Sequence, residues 1–174
     1  MALVTTALAT LLLIQDAQEA QPAPTPPPPC SGEEFRAFDF WVGEWDVSPN
    51  GSDQQVATSK IESVSNGCAI RETWMPLNGG GGTSTTALDP RSGVWHQQWI
   101  GAQPGEVHFH GGLVDGAMIL TGYWGRNQAG QPNLVRMTYT VQEDGAVRQH
   151  GQASTDHGLT WSDSFDLIYR PREE

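Results

Sequence analysis

Positive charge is scarce in this chain: Lys and Arg number 9 against 20 Asp and Glu in 174 residues, a formal net charge of −11. Nucleic-acid recognition needs a basic face that neutralises phosphates, and anionic lipid attracts clusters of Lys and Arg. Neither partner is expected. Long apolar runs are also lacking. The longest, Ala2 to Ile14, has 13 residues, short of the roughly 20 that span a bilayer as a helix, so no membrane span is expected. No G-x-S-x-G, C-x-x-C or H-E-x-x-H occurs, nor a Gly-rich phosphate loop leading into a helix. The four-glycine run Gly79 to Gly82 lies between strand-like segments and reads as a hairpin tip. No cofactor is therefore expected. What the chain does have is 20 Gly, 12 Pro and 7 Trp, a composition that disfavours a Leu-rich helical bundle.

The first thirty residues stand apart. Ala2 to Ile14 has the length of a signal-peptide hydrophobic region, although no Lys or Arg precedes it and no small-x-small cleavage site follows at Ala17 or Ala20. Gln21 to Pro29 then carries six prolines in nine residues, a polyproline-prone tether that joins neither helix nor sheet. The organisation read from this is a signal peptide over 1–20, a Pro-rich linker over 21–29 and one folded domain over 30–174, in a periplasmic or secreted protein. Two cysteines, Cys30 and Cys68, follow the leader. An even count in an exported chain reads as a disulfide, against the alternative of two buried thiols. Pro27, Pro28 and Pro29 replace the apolar and small residues that a lipid anchor on Cys30 would require.

One helix is expected. Ser31 ahead of Glu33 and Glu34 suits an N-cap with an acidic first turn, and Phe35, Phe38 and Trp41 or Val42 recur at helical spacing over about 32–42. Beyond Trp45 come ten short β-type runs: Asp46–Pro49, Gln55–Val64, Cys68–Leu77, Gly82–Leu88, Val94–Ile100, Glu106–Gly111, Ala117–Gly125, Leu134–Gln142, Ala146–Ser154 and Thr160–Arg170. Turns such as Ser65-Asn66-Gly67, Val114-Asp115-Gly116 and Glu143-Asp144-Gly145 set Asn or Asp beside a Gly free to take positive φ. No crossover helix fits between the runs. The fold expected is an all-β antiparallel up-and-down barrel of about ten strands, with a two-sheet sandwich as the alternative.

Four stretches carry a resemblance: Phe38-Asp39-Phe40-Trp41-Val42-Gly43-Glu44-Trp45, Gly67-Cys68-Ala69-Ile70-Arg71-Glu72-Thr73-Trp74, Asp89-Pro90 with Gly93 to Trp99, and Val147-Arg148-Gln149 with Ser154 to Trp161 and Phe165 to Arg170. Together they resemble a bacterial family of exported proteins without assigned function that begin with an F-D-F-W-x-G-E-W signature. The resemblance implies a calycin-type barrel. Gly43-x-Trp45 is similar to the G-x-W that opens lipocalin and fatty-acid-binding-protein barrels, where the Trp closes one end and an Arg of the last strand packs on it. By that likeness Trp45 and Arg170 form a barrel-end pair.

Residues able to do chemistry are few. His108 and His110 lie two apart, hence on one face of a strand, and His-x-His is half of a zinc or copper site. A third ligand would have to come from His96, Asp115 or His150. The plainer reading, histidines that face solvent or pair along the ladder, is preferred, and no metal is assigned. Ser154 to Trp161 resembles the Asp-box of sialidase-like propellers, but a propeller needs a copy per blade and one copy reads as a structural hairpin.

Aromatic residues beside polar ones are the more informative set. Trp95, Gln97 and Trp99 share a strand face. Arg71, Glu72, Trp74, Arg136 and Tyr139 complete the candidates for a lumen that stacks a ring and orients its polar groups, against a reading in which each Trp only fills core. Two functions follow: a binder of a small apolar or aromatic ligand inside the barrel, or an enzyme using Glu72 as acid or base with Arg71 or Arg136 stabilising charge. A filled, purely structural barrel is the third.

Overall fold

A computed structural model describes residues 27–173. The expected leader and the first six residues of the Pro-rich linker lie outside the described residues. Ten strands follow in order: β1 (Gly43–Pro49), β2 (Ala57–Val64), β3 (Ala69–Pro76), β4 (Gly82–Asp89), β5 (Val94–Gly101), β6 (Val107–Val114), β7 (Ala117–Arg126), β8 (Pro132–Val141), β9 (Val147–Ser154) and β10 (Ser162–Pro171). Each pairs antiparallel with the next, and β1 pairs with β10, setting Trp45 opposite Pro171 and Val47 opposite Tyr169. The sheet is therefore a closed up-and-down barrel and not a sandwich. Tight turns make the meander. Between β6 and β7 Asp115 and Gly116 both take positive φ, 50° and 82°, as a two-residue type I′ hairpin demands.

Antiparallel order gathers the β1–β2, β3–β4, β5–β6, β7–β8 and β9–β10 loops at one end, here the mouth, and the remaining connections at the other. The segment ahead of β1 closes that other end. It is not the single helix expected over 32–42 but two 3-10 turns, Glu33–Arg36 and Asp39–Trp41, interrupted at Phe38 (φ −114°, ψ 9°). Ser31 does not cap it, since Gly32 holds the N-cap position without a side-chain bond. The physical reason lies in the aromatics. Residues three apart eclipse in a 3-10 turn, and Phe38 and Trp41 use that to stack, with centroids 5.1 Å apart. Both are fully buried and rest on Tyr139, at 5.0 and 4.9 Å.

Three ties hold this plug. The Trp45 indole Nε1 donates to the Trp41 carbonyl at 2.9 Å. The Arg36 guanidinium donates to the Cys30 and Gly67 carbonyls and pairs with Asp39 at 3.2 Å. A disulfide joins Cys30, before the first turn, to Cys68 in the connection that enters β3, with Cα atoms 5.0 Å apart. Arg170 does not join them. Its neighbour Tyr169 points inward beside Trp45, with rings 6.4 Å apart, so strand alternation turns Arg170 outward, where it donates to Ser48 Oγ at 2.7 Å. The expected barrel-end pair of Trp45 with Arg170 is thus not formed, and Tyr169 is the residue that packs beside Trp45. Among the described residues no helix is long and apolar enough to cross a membrane.

The disulfide spans a sequence separation of 38, and loop-closure entropy makes such a link worth about 3–4 kcal/mol. Intact mass of the native protein should fall two hydrogens below that of its reduced form, and the Cys30→Ser/Cys68→Ser variant should unfold at a free energy lower by about that amount. Two thiols titratable after denaturation without reductant would contradict the pairing.

Candidate ligand-binding lumen

Side chains point inward at alternate positions of every strand, so each strand contributes a file that runs from plug to mouth. In β3 the file is Ile70, Glu72, Trp74; in β5 it is Trp95, Gln97, Trp99; in β10, read from the plug, it is Tyr169, Leu167, Phe165. The plug-side members, with Val47, Ile61, Met118 and Val147, pack into a solid core. Mouth-side members do not fill their half. A cavity of about 170 Å³ remains there. Its deep end is polar, formed by Glu72, Gln97, Tyr139, Gln149 and Tyr169; Met137, Phe109, Leu167 and Phe165 form the sides. Trp74, Trp99 and Trp124 form the outer ring, and the same three indoles floor a wider cleft of about 650 Å³ between the β3–β4 and β5–β6 loops.

Small residues make room for these rings. A Cβ on Gly151 would stand 2.3 Å from the Phe165 ring, and one on Gly82 would stand 2.7 Å from the Trp99 indole. Phe165 and Trp99 therefore each lie over a glycine of a neighbouring strand, which sets how far the ring projects into the lumen.

Two hydrogen-bond groups occupy the deep end. Ser59 and Ser84, on the strands flanking β3, donate to the two oxygens of Glu72 at 3.0 and 3.3 Å. Opposite them Gln149 donates to the Tyr139 hydroxyl at 2.9 Å and accepts from the Tyr169 hydroxyl at 2.7 Å. Tyr169 also bears on Glu72, but its single proton is engaged by Gln149, so the serines are the direct donors to the carboxyl. Glu72 is only 6 % exposed. Burial pushes its pKa up to about 7 against the lowering effect of Ser59, Ser84 and Tyr169. Burial, and then the charge of Glu72, hold Tyr139 and Tyr169 well above the ordinary phenol range, so both remain neutral donors. Among the described residues, no Lys, Arg or His lines the cavity.

Five expected lumen residues meet here: Glu72, Trp74, Gln97, Trp99 and Tyr139. Trp95 shares the face of Gln97 and Trp99, as expected, but sits one step toward the plug, edge-on to Phe38 at 6.2 Å, where it is core. Arg71 and Arg136 are corrections. Each neighbours an inward residue and so faces out. Arg71 pairs with Glu62 at 2.7 Å; Arg136 donates to Gln152 and lies over the Trp161 ring at 4.2 Å. The enzyme arrangement of Glu72 beside either arginine is therefore not formed. The signal that would have found Gln149, Phe165 and Tyr169 is the same alternation, carried from the β3 and β5 files into β9 and β10.

The histidines are on the outer face. His110 Nδ1 lies 2.9 Å from His96 Nδ1, His108 pairs with Glu106, and His150 pairs with Asp163. No group of three or more His, Cys, Asp or Glu suited to a metal ion occurs among the described residues. The Asp-box-like segment is a hairpin: Asp156 accepts from the Thr160 amide at 2.9 Å and hydroxyl at 2.6 Å, and Trp161 Nε1 folds back to the Gly158 carbonyl. The Ser154 hydroxyl, which donates to Asp156 at 2.7 Å, and then the two Thr160 bonds hold the Asp156 carboxyl down at about 2. Neither protein-family models nor curated proteins match the chain.

Two outcomes are expected. Because the native pKa of Glu72 is about 7 and the unfolded value about 4.5, the native state binds the proton more tightly. Glu72 therefore costs stability that appears as pH rises from about 4.5 and is fully present above about 7, on the order of 3 kcal/mol. Glu72→Gln should stabilise the protein at pH 8 and not at pH 4, measured by urea unfolding; an equal effect at both would contradict the assignment. Gly151→Ala should push the Phe165 ring into the lumen, destabilise by about 1–3 kcal/mol, and shrink the cavity seen by crystallography. An unchanged Phe165 would contradict the seating.

Proposed function

We propose that the protein is an exported binder of a small ring-bearing or amphipathic molecule, held in the mouth half of the barrel. One observation carries the reading: the unfilled cavity of about 170 Å³ whose outer ring is three indoles and whose deep end is a hydrogen-bonding group. Cavities of roughly 150 Å³ lined by apolar side chains admit benzene, so this space suits one ring, with further substituents reaching the mouth cleft. The indoles supply stacking area, and Gln97, Gln149 and the two tyrosines supply orientation. Export is supported by the apolar run Ala2 to Ile14, the Pro-rich linker and the Cys30–Cys68 disulfide. Kinship with the exported F-D-F-W-x-G-E-W family is part of this proposal.

The enzyme reading keeps one specific support, a buried carboxyl near neutrality in a cavity. Among the described residues, no cationic side chain lines the lumen to stabilise developing charge. The binder is therefore preferred.

Tryptophan fluorescence titration against a small-molecule extract of the cell envelope, paired with thermal shift, tests the reading. Trp99→Ala should weaken binding at least about tenfold while lowering stability by less than the 3–5 kcal/mol of a core aromatic truncation. No response to any fraction, together with a lumen found solidly packed, would overturn it.

A further inference from the structure

Among the described residues, the lumen is lined by one acid and no base. Glu72 stands at its deep end, and each carboxyl oxygen accepts one serine hydroxyl. Neutral hydroxyls satisfy hydrogen bonding without neutralising charge. The titratable groups that face Glu72 across the barrel are Tyr139 on β8 and Tyr169 on β10, which carry no positive charge in any state. On the flanking strands stand Ser59, Ser84 and, further round, Gln97. Every arginine next to an inward residue of this region, Arg71 and Arg136 included, is turned outward by strand alternation.

A buried carboxylate without a counter-ion is costly, and proteins ordinarily supply a partner or dispense with the acid. Here the space where a counter-ion would stand is the cavity itself. Its walls fit the same charge: indole and phenol faces present negative quadrupoles to a cation within about 6 Å. The approach fits as well. Glu106 is the charged residue of the mouth cleft, and the whole chain carries −11, a field that draws cations and repels anions.

We propose that the ligand is a protonated amine bearing a single ring, with its ammonium on Glu72 and its ring among Trp74, Trp99, Trp124 and Phe109. This rests on the lumen-binding reading and narrows it to a chemical class. An anion would meet Glu72 with like charge. A neutral carbonyl compound would bind only the protonated acid, with the opposite dependence on pH.

Benzylamine, benzyl alcohol and benzoate, which share a ring and differ in charge, separate these cases in the full-length protein by tryptophan fluorescence and thermal shift. Benzylamine should bind at least about tenfold more tightly than benzyl alcohol at pH 8, and benzoate should not bind. Its affinity should rise roughly tenfold from pH 6 to pH 8 as Glu72 ionises while the amine remains charged. Glu72→Gln, which removes the charge at nearly constant shape, should abolish both the preference of the site for benzylamine over benzyl alcohol and the pH dependence. Benzyl alcohol binding equally well, or benzylamine affinity falling as pH rises, would overturn the cation assignment and leave lumen binding intact. No response to any of the three up to millimolar concentration, with the melting temperature of Glu72→Gln showing a folded protein, would overturn both.

Discussion

Pairing of β1 with β10 is the constraint on which the rest depends. In an open sheet, strand alternation only separates two faces. Once the sheet is closed, it separates an enclosed volume from solvent, and every inward residue must find a place in that volume. About eight strands enclose a bore that side chains just fill. Ten enclose more, so space remains unless something enters it. The segment ahead of β1 enters from one end, and Phe38 and Trp41 occupy the bore as far as Tyr139. The other half stays open.

This division puts the packed core and the open cavity at different ends of one barrel. The plug half holds the contiguous apolar core and the disulfide, and its polar ties, Arg36 to Gly67 and Trp45 to Trp41, fasten the plug to the wall. The mouth half holds the indoles, glycines that seat aromatic rings, and a buried acid that works against folding at neutral pH. Residues that break local rules of stability concentrate where a fold serves a ligand. Glu72 is such a residue, flanked in its own file by Ile70 toward the plug and Trp74 toward the mouth.

Much of the barrel was legible in the sequence because its signals are local. Asn-Gly and Asp-Gly turns such as Asn66-Gly67, Asp115-Gly116 and Asp144-Gly145 mark several of the reversals, and ten β-type runs between the turns leave no room for crossover helices. Trp95, Gln97 and Trp99 could be placed on one face because alternation needs only spacing. Alternation also forbids Arg71 and Glu72 from sharing a regular strand's inner face, a constraint that the adjacency of two attractive residues concealed. Other features depend on register across strands. Phe165 over Gly151 joins β10 to β9, and the Tyr169–Gln149 bond spans 20 residues; no window along the chain contains them. The plug illustrates a third case. Phe38 and Trp41 have a spacing that serves an α-helix or a 3-10 turn, and stacking against Tyr139, a tertiary event, chose the latter.

The central feature is a single carboxyl held uncompensated at the deep end of the cavity. Carbon-detected NMR of the Glu72 side-chain carboxyl, titrated with pH in the free protein and in the presence of benzylamine, tests it most directly. The free protein should show a midpoint at about 7, and benzylamine should move that midpoint down as the ammonium stabilises the ionised form. A midpoint in the ordinary glutamate range in the free protein, or one that saturating benzylamine leaves in place, would contradict the account.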